Sequence, residues 1–144
     1  MKNSLTSLRA ATRRGFTLVE LAVVIIIIGV LAAFAVPRFL ESVERSKAAE
    51  AFNYLSAVRA AQERYQVQQG TYAGLVADLD IQMPTPKYFA VGTPTATQNT
   101  WTLTLTRTGA SAGYGEYTVT FTDQGFASDP GDSTIAAEIN PMLQ

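Results

Sequence analysis

The sequence predicts an α+β fold in which one long N-terminal helix carries a small antiparallel sheet. Two features predict it. An apolar run at residues 16–36 passes into an amphipathic stretch at 37–69 with no loop signal between them, and two later segments, 100–108 and 116–122, alternate threonine with large apolar side chains. A helix with one apolar stripe and a sheet with one apolar face cover each other, which makes a two-layer domain.

The helix begins in an unusual setting. Residues 1–15 hold Lys2, Arg9, Arg13 and Arg14 and no acid. Basic residues beside an apolar run stay in the cytosol, so the part after the run is expected to cross the membrane. Residues 16–36 are apolar but for Thr17, Glu20 and Gly29. At about 21 residues the run matches the roughly 20 that span a bilayer core as a helix. A carboxylate inside such a run costs about 2.5–3.5 kcal/mol on insertion scales, so Glu20 is a candidate functional group. Near the interface its side chain can instead snorkel to water.

After Val36 comes Pro37, which cannot donate a backbone hydrogen bond and whose ring crowds the carbonyl of Ala33. With Gly29 weakening the helix upstream, residues 29–37 are expected to bend or unwind. A tolerated bend in a membrane helix is the alternative. From 38 to 69, Ala48, Phe52, Leu55, Val58, Ala61 and Tyr65 recur every three or four residues, with Glu44, Lys47, Glu50, Arg59 and Glu63 assigned to the other faces. The helix should therefore run from residue 17 to about 68, roughly 50 residues or about 75 Å at 1.5 Å per residue. Gly70 is placed to end it.

Tyr72, Leu75 and Leu79 follow as core residues of a connector. Pro84, Pro86 and Pro94 mark a loop-rich stretch with a short strand at 88–91. In 100–108, Trp101, Leu103 and Leu105 share one face, and in 116–122, Tyr117, Val119 and Phe121 do the same. Both read as half-buried antiparallel strands joined through 109–115. The tail from 123 gathers Asp123, Asp129 and Asp132 near Gly125 and Gly131. Loops rich in oxygen ligands can hold calcium, although no defined ligand spacing is present and the same residues favour turns.

Composition narrows the function. The chain has no cysteine and no histidine. That removes thiol nucleophiles, disulfides, Ser-His triads and most zinc sites, so no enzymatic activity and no cofactor is expected. A net charge of -1 with dispersed charged residues predicts no direct nucleic-acid binding.

Three targeting readings fit the N-terminus. Ala33-Phe34-Ala35 resembles a secretory cleavage site, although Glu20 sits awkwardly at the start of a long apolar region. Arg13-Arg14-Gly15-Phe16 suggests a twin-arginine signal, although residues 23–28 are very apolar for that route. Thirdly, Gly15-Phe16-Thr17-Leu18-Val19-Glu20, preceded by arginine and followed by the apolar run, resembles the signal of type IV prepilins and type II secretion pseudopilins.

This resemblance is strongest from Arg13 to about Leu79. It implies a pilin-like fold in four parts: a leader at 1–15, a membrane and filament-core helix at 16–36, an amphipathic half at 37–69, and a globular region at 70–144. It implies cleavage after Gly15 by a prepilin peptidase on the cytoplasmic side, and N-methylation of the new terminus at Phe16. It also implies pairing of Glu20 with the Phe16 amine of a neighbouring subunit, with Gly29 and Pro37 as points where the helix melts. The expected partners are copies of the chain in a helical filament, the peptidase and methyltransferase, an assembly platform, and inner-membrane lipid before assembly. The expected location is a single-pass inner-membrane precursor with a cytoplasmic N-terminus, then a pilus. A type II secretion pseudopilin, or an anchored or secreted binding module, remains the alternative. Some pseudopilins bind calcium in the C-terminal loop, and many pilins staple it with a disulfide that this chain cannot form.

Overall fold

The computed structural model describes residues 15–128 and 132–143. The chain divides into two compact units, Met1–Val36 and Pro37–Gln144. One helix, α1 (Leu18–Gln69), supplies the described helical residues of the first unit and the first element of the second.

In the first unit the helix is apolar all round, and Leu18, Ile25 and Phe34 are among its exposed side chains. It contains a stretch long and apolar enough to cross a membrane. The helical assignment continues through Gly29 and Pro37 without interruption.

In the second unit α1 buries Ala48, Ala51, Phe52, Leu55, Val58 and Ala61, the stripe read from the 3–4 spacing. Gly70 ends the helix in the left-handed region at φ 74°, and its N–H donates to the Gln66 carbonyl at 2.8 Å. A side chain there would strain the backbone, which is why glycine suits the position. The chain then reverses, held by the Gln62 amide: its nitrogen donates to the Ala73 carbonyl at 2.9 Å and its oxygen accepts from the Ala73 N–H at 2.8 Å.

A short 3-10 turn follows at Val76–Asp78. Here one expectation fails. Leu79 is buried and Tyr72 and Val76 pack on the core, but Leu75 is 55% exposed. Ala73 takes the interior place beside Gln62, and the tight turn that brings Val76 inward leaves Leu75 outside.

The sheet contains β1 (Phe89–Val91), β2 (Thr95–Ala96), β3 (Trp101–Arg107), β4 (Thr118–Thr122) and β5 (Gly125–Phe126). All pairings are antiparallel, in the order β1-β3-β4-β5, with β2 also on β3. Leu103 lies opposite Phe121 and Leu105 opposite Val119, so the two threonine-alternating segments present their apolar sets on one face. That face closes on α1: the Phe52 ring meets Phe121 at 5.8 Å and Phe126 at 5.1 Å between centroids. Each such large side chain contributes about 1.5–3 kcal/mol when buried. Between β1 and β2, Gly92 donates to the Thr104 carbonyl at 3.1 Å, and a Cβ on it would fall 2.7 Å from that oxygen.

The tail is stapled without covalent bonds. Ser133 Oγ accepts from the Thr120 N–H at 2.9 Å, and the Thr134 N–H donates to the Thr118 carbonyl at 3.1 Å. The tail thereby continues the edge of β4 beyond β5. Ile139 is fully buried, and Arg45 of α1 donates to the Glu138 carbonyl.

Candidate functional site

The N-terminal group of sequence-marked residues is built on the first turn of α1. Among the described residues, Gly15 has nothing within 4 Å of where a Cβ would stand. Phe16 is exposed. Thr17 and Glu20 form a reciprocal cap: the Glu20 N–H donates to Thr17 Oγ1 at 3.1 Å, and the Thr17 N–H donates to Glu20 Oε2 at 3.4 Å. The pattern Thr-x-x-Glu is the capping box, in which a hydroxyl and a carboxylate satisfy two helix donors that have no carbonyl partner. In an apolar surrounding, two such donors left open would cost several kcal/mol. Glu20 thus has a local partner, Thr17, that the sequence reading did not assign and that the Thr-x-x-Glu spacing could have indicated. Gly29 also has open space around its missing Cβ, so no contact among the described residues requires a glycine there. The basic residues of the leader, including Arg13 and Arg14, lie outside the described residues.

Asp123 accepts from the Gln124 amide at 2.6 Å, Asp132 contributes its backbone carbonyl to the Thr120 hydroxyl, and Asp129 lies outside the described residues. Among the described residues there is no group of three acidic or other metal-ligating side chains.

A second polar centre was assigned wrongly from the sequence. Glu44, placed there on a charged outer face, is fully buried, and so is Arg107. Arg107 Nε donates to Glu44 Oε1 at 2.5 Å and its Nη2 to Oε2 at 3.2 Å. Glu44 also accepts from the Tyr117 hydroxyl at 3.0 Å and from Lys47 Nζ at 3.2 Å. The remaining guanidinium donors reach the carbonyls of Tyr88, Thr108 and Ala110, fastening the turn after β3.

Burial pushes the Glu44 carboxyl upward, but the hydrogen bonds from Arg107, Lys47 and Tyr117 together hold it below its ordinary value. Burial, then the charge of Glu44 and the hydrogen bond to it, raise the Tyr117 phenol. The arrangement is a satisfied ion pair that joins helix to sheet, not an activated acid or base. Beside it, Lys47 and Lys87 each bring an ammonium over the Tyr88 ring, at 5.4 and 5.5 Å from its centroid.

An exposed apolar helix that opens at Leu18 within Gly-Phe-Thr-Leu-Val-Glu, and a helix-on-sheet domain after it, can be compared with known proteins. Residues 37–129, more than half of the chain, match the family model described as type IV minor pilin ComP, DNA uptake sequence receptor. The chain belongs to this type IV pilin family. Residues 11–36 of the pilin separately match the prokaryotic N-terminal methylation motif.

Among curated proteins, the pilin is 41% identical over 66 residues to the type IV major pilin protein PilA of Myxococcus xanthus, covering 46% of this chain and 30% of that one. It is 43% identical over 60 residues to the fimbrial protein EcpC of Eikenella corrodens, covering 42% and 39%. It is 50% identical over 48 residues to the type IV narrow pilus major component PilA5 of Thermus thermophilus, covering 33% and 41%. The chain therefore spans well under half the length of each of these relatives.

Proposed function

We propose that this type IV pilin is a structural subunit of a pilus-like filament. It is made as an inner-membrane precursor with its N-terminus in the cytosol, cut after Gly15 by a prepilin peptidase, methylated on the Phe16 amine, and assembled helically through α1. The single observation that carries this reading is the all-round exposed apolar helix that starts three residues after Gly15, within a segment that matches the methylation motif. Such a surface suits only lipid or other apolar helices, and exchanging one for the other changes hydrophobic energy little. Register must then come from packing and from the one carboxylate. Cleavage creates an amine at Phe16, and the Glu20 carboxylate of a neighbour can neutralise it. The names of the relatives, which are pilins and fimbrial proteins, favour a pilus over a secretion pseudopilus.

The test is intact mass and N-terminal sequencing of the mature protein. A methylated Phe16 at the first position is expected; a start at Met1 or at Val36 overturns the reading. Glu20→Ala should insert and be cut but give fewer filaments, and an undiminished filament yield removes the assembly role of Glu20.

The family description also favours a second reading for the unit Pro37–Gln144, contact with DNA by a subunit within the filament. It runs against the expectation drawn from the dispersed charges. The local support is Tyr88, an aromatic ring with Lys47, Lys87 and the buried Arg107 around it, since stacking surfaces beside cations suit nucleic acids. Fluorescence anisotropy with a labelled duplex decides it: salt-dependent binding that Lys87→Ala weakens supports contact, and no binding at low salt excludes it.

A further inference from the structure

We propose that the groove beside Arg59 is a docking site for the Leu75–Asp78 turn of a second copy of this chain. The proposal rests on the filament reading and names one contact between subunits within it.

The groove, about 940 Å³, lies between the exposed side of α1, the β4-β5 hairpin and the end of the chain. Arg59 is half-buried in it and has no hydrogen-bond or ion-pair partner among the described residues. Its guanidinium packs beneath the backbone of Gly125: a Cβ on that residue would stand 3.2 Å from Nη1 and 3.9 Å from Cζ. The donor fork lies against that backbone with its donors unused among the described residues, and a planar guanidinium matches a carboxylate in a bidentate pair. Beside it, Phe126 is partly buried, and Met142 and Leu143 are 57% and 60% exposed, so the wall next to the cation is apolar.

The chemistry that fits is one carboxylate with an apolar neighbour. A polyanion fits poorly, because Glu63 lines the same groove, and both Glu63 and Asp123 act on nearby Tyr72 with the sign opposite to that of Arg59.

The chain displays such a pair. Leu75 is 55% exposed, and the carboxylate of Asp78 is exposed without a partner among the described residues. The Asp78 N–H donates to the Leu75 carbonyl at 3.2 Å across the 3-10 turn. Leu75 is the extended N-cap of that turn and Asp78 its last residue, so the two exposed side chains flank one short turn. Several carboxylates are engaged: Asp80 by Arg64, Glu41 by Arg45, and Glu50 by the N–H groups of Lys87 and Tyr88. Glu63, Glu116, Asp132 and Glu138 are exposed and unengaged too among the described residues, but none has an exposed large apolar side chain within three residues, as Asp78 has in Leu75. Turn and groove share no residue, so a contact between them in two copies is head-to-tail. A head-to-tail contact propagates into an open helical array instead of closing a dimer.

The cysteine-free chain makes the test direct. Filaments of the full chain carrying Ser128→Cys in the groove and Ala77→Cys on the turn are oxidised mildly and run without reductant. A ladder of cross-linked oligomers is expected, absent from either single-cysteine chain. Adding Arg59→Glu should reduce the ladder about fivefold or more, and combining it with Asp78→Arg should restore it. Filaments that assemble normally but give no ladder overturn the docking while leaving the filament reading intact. A wild-type chain that makes no filaments removes both.

Discussion

Replacing Arg107 with methionine tests how the sheet is held to the helix. The substitution keeps much of the apolar bulk while leaving the Glu44 carboxylate, which is fully buried, with two of its four donors: Lys47 Nζ at 3.2 Å and the Tyr117 hydroxyl at 3.0 Å. Breaking a buried ion pair from one side costs about 3–5 kcal/mol. The surviving donors place this variant at the lower end, about 3 kcal/mol, since the carbonyls freed at Thr108 and Ala110 can turn to water. For a domain of this size each kcal/mol moves the melting temperature by about 4–8 °C, so a fall of about 12–24 °C is expected. Trp101 is the single tryptophan and is buried on the same strand, so its fluorescence in the detergent-solubilised chain reports the transition. The pair Glu44→Met and Arg107→Met together should melt above Arg107→Met alone, because the second change removes the stranded charge. A fall of less than about 3 °C for Arg107→Met, or strict additivity in the pair, would refute the reasoning.

Other outcomes follow from the same geometry. The Glu44 carboxyl is held below its ordinary value, so its stabilisation is complete above the ordinary carboxylate range and lost as pH falls through that range toward the folded value. Melting curves between about pH 6 and 3 should decline less steeply for Glu44→Gln than for the wild type, and equal slopes would count against it. The Tyr117 phenol is raised, so its contribution is present below about pH 10 and falls as pH rises beyond it. Tyr117→Phe should be less sensitive to alkali in the same assay. Gly92→Ala would press a Cβ against the Thr104 carbonyl and should cost about 1–3 kcal/mol, whereas Gly29→Ala, with open space around it, should leave the melting of the sheet domain unchanged. Circular dichroism melts of the two variants provide the comparison.

Most of the architecture can be read from local periodicity. The 3–4 spacing of Ala48, Phe52, Leu55, Val58 and Ala61 marks the buried stripe, and the threonine alternation marks β3 and β4 together with their inward faces. Strands β2 and β5, of two residues each, are too short to carry an alternation. The error at Glu44 came from reading residue type ahead of position. Glu44 lies four residues before Ala48 and continues the stripe, and Arg107 continues the phase of Trp101, Leu103 and Leu105 onto the same buried face. Two opposite charges, each in phase with a core set, are a legible sign of a buried pair. Leu75 failed for the converse reason: an apolar residue at a tight turn can point outward. At the N-terminus, Gly15, Phe16 and Glu20 stand out in the sequence, and the role of Thr17 as cap partner of Glu20 was legible in the Thr-x-x-Glu spacing.

The Glu44–Arg107 pair also bears on the order in which the domain forms. Its members are 63 residues apart, so until β3 has arrived the Glu44 carboxylate has only Lys47 of its own helix beside it. Contacts of that range close late, because the entropy of the intervening loop has to be overcome first. The Glu44 turn of α1 therefore stays hydrated until the sheet is nearly complete. With no cysteine to oxidise, that last step is a reversible ionic closure that depends on no oxidant, and a misdocked sheet can let go and try again.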